Sequence, residues 1–451
     1  MAYSADTIAA LSTPVGISAL ACLRASGSLV PGLVEAIFDQ TPVPRLARHA
    51  DYRGRAGMLV DDVVYTCFEA PNSYTGEDIL EISCHGNPFI VGKILEDLYA
   101  RGCRPAEPGE FTKRAFLNGR LDLSQAEAVV DVIHARSERA LAAANRQLRG
   151  ALGRQMQELN DLLLGLLAGI EAYIDFPEED LPPQDRSSLA KGIDHLLKGT
   201  GRLLATSHYG EILRDGVKTV ILGEPNSGKS SLLNRLVGYE RALVSAEPGT
   251  TRDYLEERIA LGSHCIRLTD TAGLNACPAP LEKLGIAKTF ERAMEADLIL
   301  LVLDATQPTP SLPPELSMRL SPRNTLALIN KTDLLPNGPY PVPPRSLPVV
   351  RVSALTGAGC DELVSAIVRH AESFRTEESE DLVTINARHA DALNRATEFL
   401  HAALAKITVP APPELLASDL RGVLDAFSEI SGKIESEQIL DRLFSTFCIG
   451  K

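Results

Sequence analysis

The spacing of apolar residues changes character several times along this chain, and the changes divide it. Up to about residue 119, short apolar runs alternate with helical spacing. Residues 17–23, 63–68 and 78–83 predict strands and 88–99 predicts a helix, the mixture of an α+β domain. From Ser124 the period lengthens. Leu148, Leu152, Met156, Leu159, Leu163, Leu166, Ile170 and Ile174 step by threes and fours, which makes one long apolar stripe suited to a bundle core or a helix–helix seam. An acidic loop at 175–180 ends it, and a second helical pattern runs from Ser187 to about Arg214. Strand-length apolar runs then alternate with amphipathic helices, the pattern of an α/β domain. Beyond the acidic link at 377–381, helical spacing resumes at Leu393, Ala396, Leu400, Leu404 and Ile407, and further helices are expected as far as Phe447. The expected order is an N-terminal α+β domain over 1–119, part of a helical domain over 120–214, an α/β domain over 215–376, and the rest of the helical domain over 377–451. Helices on both flanks suggest one all-α bundle interrupted by an insertion whose ends lie close together.

The α/β segment carries the chemistry. Gly223-Glu-Pro-Asn-Ser-Gly-Lys229-Ser230 reads G-x-x-x-x-G-K-S between the apolar run ending at Leu222 and the amphipathic run from Ser231 to Val237. This is the strand–loop–helix setting of a phosphate-binding P-loop: backbone N–H groups turn inward at a helix N-terminus, Lys229 reaches the β/γ-phosphates and Ser230 takes a place on Mg²⁺. Asp270-Thr-Ala-Gly273 follows a run with Ile259, Leu261, Ile266 and Leu268, and suits Mg²⁺ held through water and a γ-phosphate. Asn330-Lys-Thr-Asp333 follows the run at 325–329, its Asp placed to accept the two N–H donors of guanine, and Ser353-Ala-Leu355 would back the base. In this order and spacing the motifs resemble the G domain of a translation-factor-type GTPase, a Ras-like P-loop fold, so the nucleotide is GTP.

Composition narrows the setting. The chain of 451 residues has a formal net charge of −14, which excludes a general nucleic-acid binder and confines any RNA contact to a local basic patch. The candidate patch is Arg101, Arg104, Lys113 and Arg114, with Arg136, Arg139, Arg146 and Arg149. Eight cysteines without a C-x-x-C pair suit a reducing cytosol, and no leader or membrane-spanning run is expected, so the protein is read as cytoplasmic.

Four stretches extend the likeness to the whole chain: Pro71-Asn-Ser-Tyr-Thr-Gly-Glu-Asp78, Phe116-Leu-Asn-Gly-Arg-Leu-Asp-Leu-Ser-Gln-Ala-Glu127, Gly249-Thr-Thr-Arg-Asp253 and the terminal Cys448-Ile-Gly-Lys451. By these it resembles the tRNA-modification GTPase MnmE (TrmE) family. The resemblance implies a homodimer formed through the N-terminal domains, which bind a reduced folate (formyl- or methylene-tetrahydrofolate). It implies an FAD-dependent partner of the MnmG (GidA) type in a hetero-oligomer, and placement of carboxymethylaminomethyl-type groups at C5 of the wobble uridine of certain tRNAs. Family folate contacts fall on Arg24, Glu81, Arg120 and Lys451, and Cys448 is a family candidate for a catalytic nucleophile.

The resemblance also implies how hydrolysis proceeds. Ras-like enzymes carry a water-orienting Gln directly after the D-T-A-G glycine; here that place holds Leu274, and the family role passes to a Glu further along, matched by Glu282. No arginine finger is evident. The missing positive charge is expected from K⁺, held by Asn226 with Ser245, Glu247 and Thr250, while Ser230 and Thr251 serve Mg²⁺. The full set of expected GTP contacts is Asn226, Ser227, Gly228, Lys229, Ser230 and Ser231; Ser245, Ala246, Glu247, Pro248, Gly249, Thr250 and Thr251; Asp270, Thr271, Ala272 and Gly273; Asn330, Lys331 and Asp333; and Ser353 with Ala354. A second reading, a GTP-switched ribosome-assembly or RNA-binding factor of the Era or Der type, shares the G-x-P-N-x-G-K-S loop.

Overall fold

The computed structural model describes residues 6–175, 186–239, 256–270, 290–336, 338–374, 383–408 and 411–432, with 444, 447 and 450. The chain forms two compact units, one of residues 1–130, 148–184 and 401–451, the other of 131–147 and 185–400.

The first unit holds a six-stranded sheet of β1 (Ile8–Leu11), β2 (Leu20–Ser26), β3 (Arg48–Arg53), β4 (Leu59–Phe68), β5 (Ile79–His85) and β6 (Arg104–Pro105), in the order β3-β4-β5-β2-β1-β6. Successive side chains point to opposite faces of a strand. On β2, Ala21, Leu23 and Ala25 therefore join the core beneath the helices Val30–Phe38 and Pro88–Ala100, while Arg24 faces the other way. The sequence places a strand at 17–23, but β2 starts at Leu20, because Pro14 and Gly16 hold the preceding residues in a loop. Strand β1 escapes sequence reading because it is short and buried on both faces, with no alternation to see.

Beside β1 and β6, the helix Glu110–Leu117 turns Arg114 inward until it is 1% exposed. Its Nη2 donates to Asp6 Oδ1 at 2.8 Å and Glu110 Oε1 at 2.9 Å, and its Nη1 donates to Glu77 Oε2 at 3.1 Å. Arg104 pairs with the same Asp6 and Glu110. Burial pushes the Glu110 carboxyl up, but hydrogen bonds from Arg104, the Glu107 N–H and Arg114 outweigh it and hold the group below its usual range. Arg101 is likewise engaged by Asp97 at 2.7 Å. The expected basic patch is therefore corrected here: Arg101, Arg104 and Arg114 are paired with carboxylates, some close by in sequence (Asp97, Glu110) and some distant (Asp6, Glu77).

The long stripe folds as the helix Ala151–Asp175, which packs against Pro413–Ser431 of the same unit. Its buried line is Leu152, Met156, Leu159, Leu163, Leu167 and Ile170; Leu167 takes the inward place expected of Leu166. Leu148 ends a separate helix, Glu138–Leu148, and the break falls at Gly150, whose φ of +77° is easy only for glycine. Further along, Phe444 and Phe447 pack with Leu123 and Ala126, and Ser12 Oγ, just past β1, donates to the Gly450 carbonyl at 3.1 Å.

The second unit is built on β7 (Val217–Gly223), β8 (Glu256–Leu261), β9 (His264–Asp270), β10 (Leu298–Asp304), β11 (Thr325–Asn330) and β12 (Val349–Arg351). The order is β12-β11-β10-β7-β9-β8, parallel throughout except for the β8–β9 pair. A parallel sheet is covered on both faces and its strands are apolar throughout, and β10 reads Leu-Ile-Leu-Leu-Val-Leu before Asp304. One face packs on the helices Lys229–Tyr239 and Cys360–Ser373; the other packs on Ala293, Ala296 and Leu316. β7 is central, and its C-terminal tip, with those of β10 and β11, is where open α/β sheets bind ligands.

Candidate functional site

The G-x-x-x-x-G-K-S turn connects the tip of β7 to the helix Lys229–Tyr239. Asn226 takes a left-handed conformation at φ +64°, one that Asn tolerates better than most side chains, and the turn leaves its side chain exposed. Gly228 has φ +96°, and a Cβ there would run into the Asn330 amide, so glycine is required on both counts. Lys229 is buried to 8% exposure; its Nζ donates to the carbonyls of Glu224 at 2.8 Å and Gly223 at 3.2 Å, which holds the ammonium inside the loop. The Ser227 hydroxyl is buried with no hydrogen-bond partner among the described residues. A buried polar group left open at the centre of a phosphate loop fits a ligand oxygen. Ser230 and Ser231 stand exposed at the helix start.

Asn330 ends β11 and is 1% exposed. Its Nδ2 donates to the Ser227 carbonyl at 2.9 Å, and its Oδ1 accepts from Ala354 N–H at 3.0 Å. One side chain thus ties the phosphate loop to the Ser353–Ala354 segment. Lys331, at φ +63°, reaches Asp304 Oδ2 at 2.7 Å across the neighbouring tip of β10. Burial pushes the Asp304 carboxyl up, yet the bonds from Lys331 and Thr306 prevail and keep it below the usual carboxylate range. Asp333 is half-buried in the short 3₁₀ turn Thr332–Leu334. Ser353 is fully buried, and its hydroxyl accepts from Thr356 N–H at 3.1 Å. Asp304 and the bridging role of Asn330 were not read from the sequence; the signal for Asp304 is an acidic residue directly after a wholly apolar strand.

Of the remaining expected contacts, Asp270 ends β9, which lies beside β7, but its side chain is outside the described residues. So are Ser245, Ala246, Glu247, Pro248, Gly249, Thr250, Thr251, Thr271, Ala272, Gly273 and Glu282, and likewise Cys448 and Lys451. Among the described residues no cluster of His, Cys, Asp and Glu would hold a metal ion.

In the first unit, Arg24 and Glu81 face each other across β2 and β5. Arg24 Nε and Nη2 donate to Glu81 Oε1 at 2.9 and 2.6 Å, and the guanidinium lies 5.3 Å from the Tyr74 ring centre and 5.6 Å from that of Phe111. Arg24 thus lies between two aromatic rings and the half-buried Glu81 carboxylate. Arg120 is exposed, and its side chain passes close to Gly76. Burial first, then the Glu81 charge, raise the pKa of the adjacent Cys22 thiol, so it is a poor nucleophile near neutral pH.

A sheet of this order, parallel but for its β8 edge, with a G-K-S phosphate loop at its central strand and N-K-T-D two strands away, is that of a P-loop GTPase. Family models described as "GTP-binding protein TrmE N-terminus" and "MnmE helical domain" match residues 7–120 and 123–448. The tRNA modification GTPase MnmE of Opitutus terrae is 58% identical over 447 residues, 99% of each chain. Those of Akkermansia muciniphila (45% over 453 residues, 99% of each) and Geotalea uraniireducens (39% over 455 residues, the full length of each) are similar throughout. The chain belongs to the MnmE (TrmE) family of tRNA modification GTPases. Among solved structures, the G domain of the T. maritima FeoB iron transporter is 26% identical, covering 34% of this chain and 97% of that one with a TM-score of 0.25, and adds nothing to the fold argument.

Proposed function

We propose that this chain hydrolyses GTP in a K⁺-activated cycle and uses it, with an FAD-dependent partner of the MnmG type, to install carboxymethylaminomethyl-type groups on the wobble uridine of certain tRNAs. The observation that carries the GTPase part is the Asn330 bridge between phosphate loop and base loop; the tRNA part rests on family membership along the whole chain. Lys229, Ser227 and Gly228 serve the phosphates, Asp333 and Ala354 the guanine, and Ser230, Thr251 and Asp270 the Mg²⁺ side. Asn226 with Ser245, Glu247 and Thr250 would hold K⁺, which supplies positive charge against the phosphates. Glu282 would orient the attacking water.

The four-part division at 119, 214 and 376 is retained as the functional division of the chain, with homodimerisation through residues 1–119. Arg24, Glu81, Arg120 and Lys451 would hold a reduced folate, Glu81 accepting pterin N–H bonds and the basic groups pairing the glutamate tail. Cys448 stays a candidate nucleophile. No helix among the described residues is long and apolar enough to cross a membrane.

Two experiments test the proposal. Mass spectrometry of tRNA from cells lacking the chain is expected to show loss of the modified wobble nucleosides; a normal nucleoside profile would refute the tRNA assignment. Calorimetry with formyl-tetrahydrofolate is expected to show binding that drops about tenfold or more in Arg24→Ala, since a charge-assisted contact is lost. Unchanged affinity in that variant and in Glu81→Ala would remove the folate pocket from this face of the sheet.

A further inference from the structure

We infer that Arg235 is a positioning residue for the guanine base, tying the loop behind the base to the helix that begins at the phosphates. The inference rests on the GTP reading above. Arg235 lies on the helix Lys229–Tyr239, half-buried, and its Nη2 donates to the Leu355 carbonyl at 2.8 Å. That carbonyl is one residue beyond Ala354, whose N–H is held by Asn330. Gly357 in the same loop has φ +89°, and a Cβ there would lie 3.0 Å from Arg235 Nη2 and 3.2 Å from its Cζ. The guanidinium is therefore set directly against loop backbone, so close that a Cβ at Gly357 would crowd it.

Two further observations separate this from an ordinary surface arginine. Arg235 Nε is buried with no hydrogen-bond partner among the described residues. That donor is left open at a cost while Nη2 keeps its bond to the loop carbonyl. The loop otherwise closes mainly on itself, through Ser353 N–H to the Ala358 carbonyl at 2.9 Å and Gly357 N–H to the Ser353 carbonyl at 2.8 Å. Leu355 at its crest is 79% exposed and gives no apolar anchor. Asn330 holds the loop from the sheet side and Arg235 from the helix side, which fixes the backbone against which the base is read.

The consequence is specific. Freeing the crest loosens the base and leaves Lys229 and the phosphate contacts intact, so GDP and GTP suffer by the same factor. Hypoxanthine, the base of IDP, differs from guanine only by lacking the exocyclic amine that Asp333 reads, so the preference for GDP over IDP is unchanged. The test uses the full chain with fluorescent GDP and GTP in stopped flow, and with IDP as competitor. Arg235→Ala is expected to speed dissociation of both nucleotides about tenfold, the loss of one hydrogen bond from a charged donor, with melting temperature held and Arg235→Lys recovering most of the loss. Should Arg235→Ala fail to fold, Arg235→Gln gives the same readout. Wild-type dissociation rates in the variant, in a chain that binds GDP normally, would overturn the inference. So would an effect that differs between GDP and GTP, or a changed GDP-to-IDP ratio. Failure of the wild-type chain to bind guanine nucleotides at all would instead refute the GTP reading beneath it.

Discussion

Replacing Asn330 by alanine is expected to weaken binding of GDP and GTP by roughly 30-fold to 10⁴-fold. The side chain is buried, and its two bonds close the phosphate loop on one side and the base loop on the other. Removal leaves the Ser227 carbonyl and the Ala354 N–H without their partner, and each unsatisfied buried group costs about 1–3 kcal/mol. A difference of about 1.4 kcal/mol is tenfold in affinity, so the two losses together give the stated range. Both sites should fail at once, because Gly228 packs against the same amide. Asn330→Asp keeps the acceptor for Ala354 but loses the donor to Ser227, and should fall between the two. Equilibrium titration with fluorescent GDP reads this directly. Near-wild-type affinity in the alanine variant would mean that the two loops are positioned by something other than Asn330.

The second large effect concerns turnover. GTP hydrolysis is expected to be slow in Na⁺ and much faster in K⁺, and to be nearly abolished in Glu282→Ala with GTP still bound. Leu274 stands where Ras-like enzymes keep the water-orienting Gln, and no arginine finger announces itself in the sequence. An arginine finger is worth roughly 10³–10⁵ in rate, and a monovalent cation at the same place should recover part of that. Asn226 is exposed in the phosphate loop at φ +64°, where its amide oxygen can serve a weakly hydrated cation. Asn226→Ala should therefore lose the K⁺ response while retaining GTP. If paired G domains complete the site, the rate per chain should also rise with protein concentration. Equal rates in Na⁺ and K⁺, together with normal turnover in Glu282→Ala, would sink this account.

What the sequence disclosed depended on how local each signal is. The phosphate loop and N-K-T-D are contiguous, and each residue type follows from its task, so they can be read directly. The strands of the second sheet are unbroken apolar runs, as burial on both faces demands. By contrast, Arg114 meets Asp6 across 108 positions, and Arg235 meets Leu355 across 120; no local pattern announces such pairs. Asp97 and Glu110 are close enough in sequence to pair with Arg101 and Arg114 on one helix face, but the Asp6 and Glu77 contacts that bury Arg114 have no local signal. The stripe in the long helix was legible as a stripe, but three- and four-residue steps leave a choice between Leu166 and Leu167 that packing alone decides. Arg24 and Glu81 were singled out through family resemblance; their adjacency across β2 and β5 is a matter of strand register, which neither residue betrays by itself.

The central claim is that a guanine-nucleotide cycle in this chain drives wobble-uridine modification. The measurement that tests it most directly is mass spectrometry of wobble nucleosides in a deletion strain that expresses either the wild-type chain or Lys229→Ala at equal level. Lys229 lies inside the G-x-x-x-x-G-K-S loop, bound to the Gly223 and Glu224 carbonyls, so its loss is expected to remove the charge proposed to meet the β/γ-phosphates. The account predicts that the wild-type chain restores the modified nucleosides and that Lys229→Ala leaves them absent. Full modification in the Lys229→Ala strain would contradict it, and would make the GTPase incidental to what the chain does for tRNA.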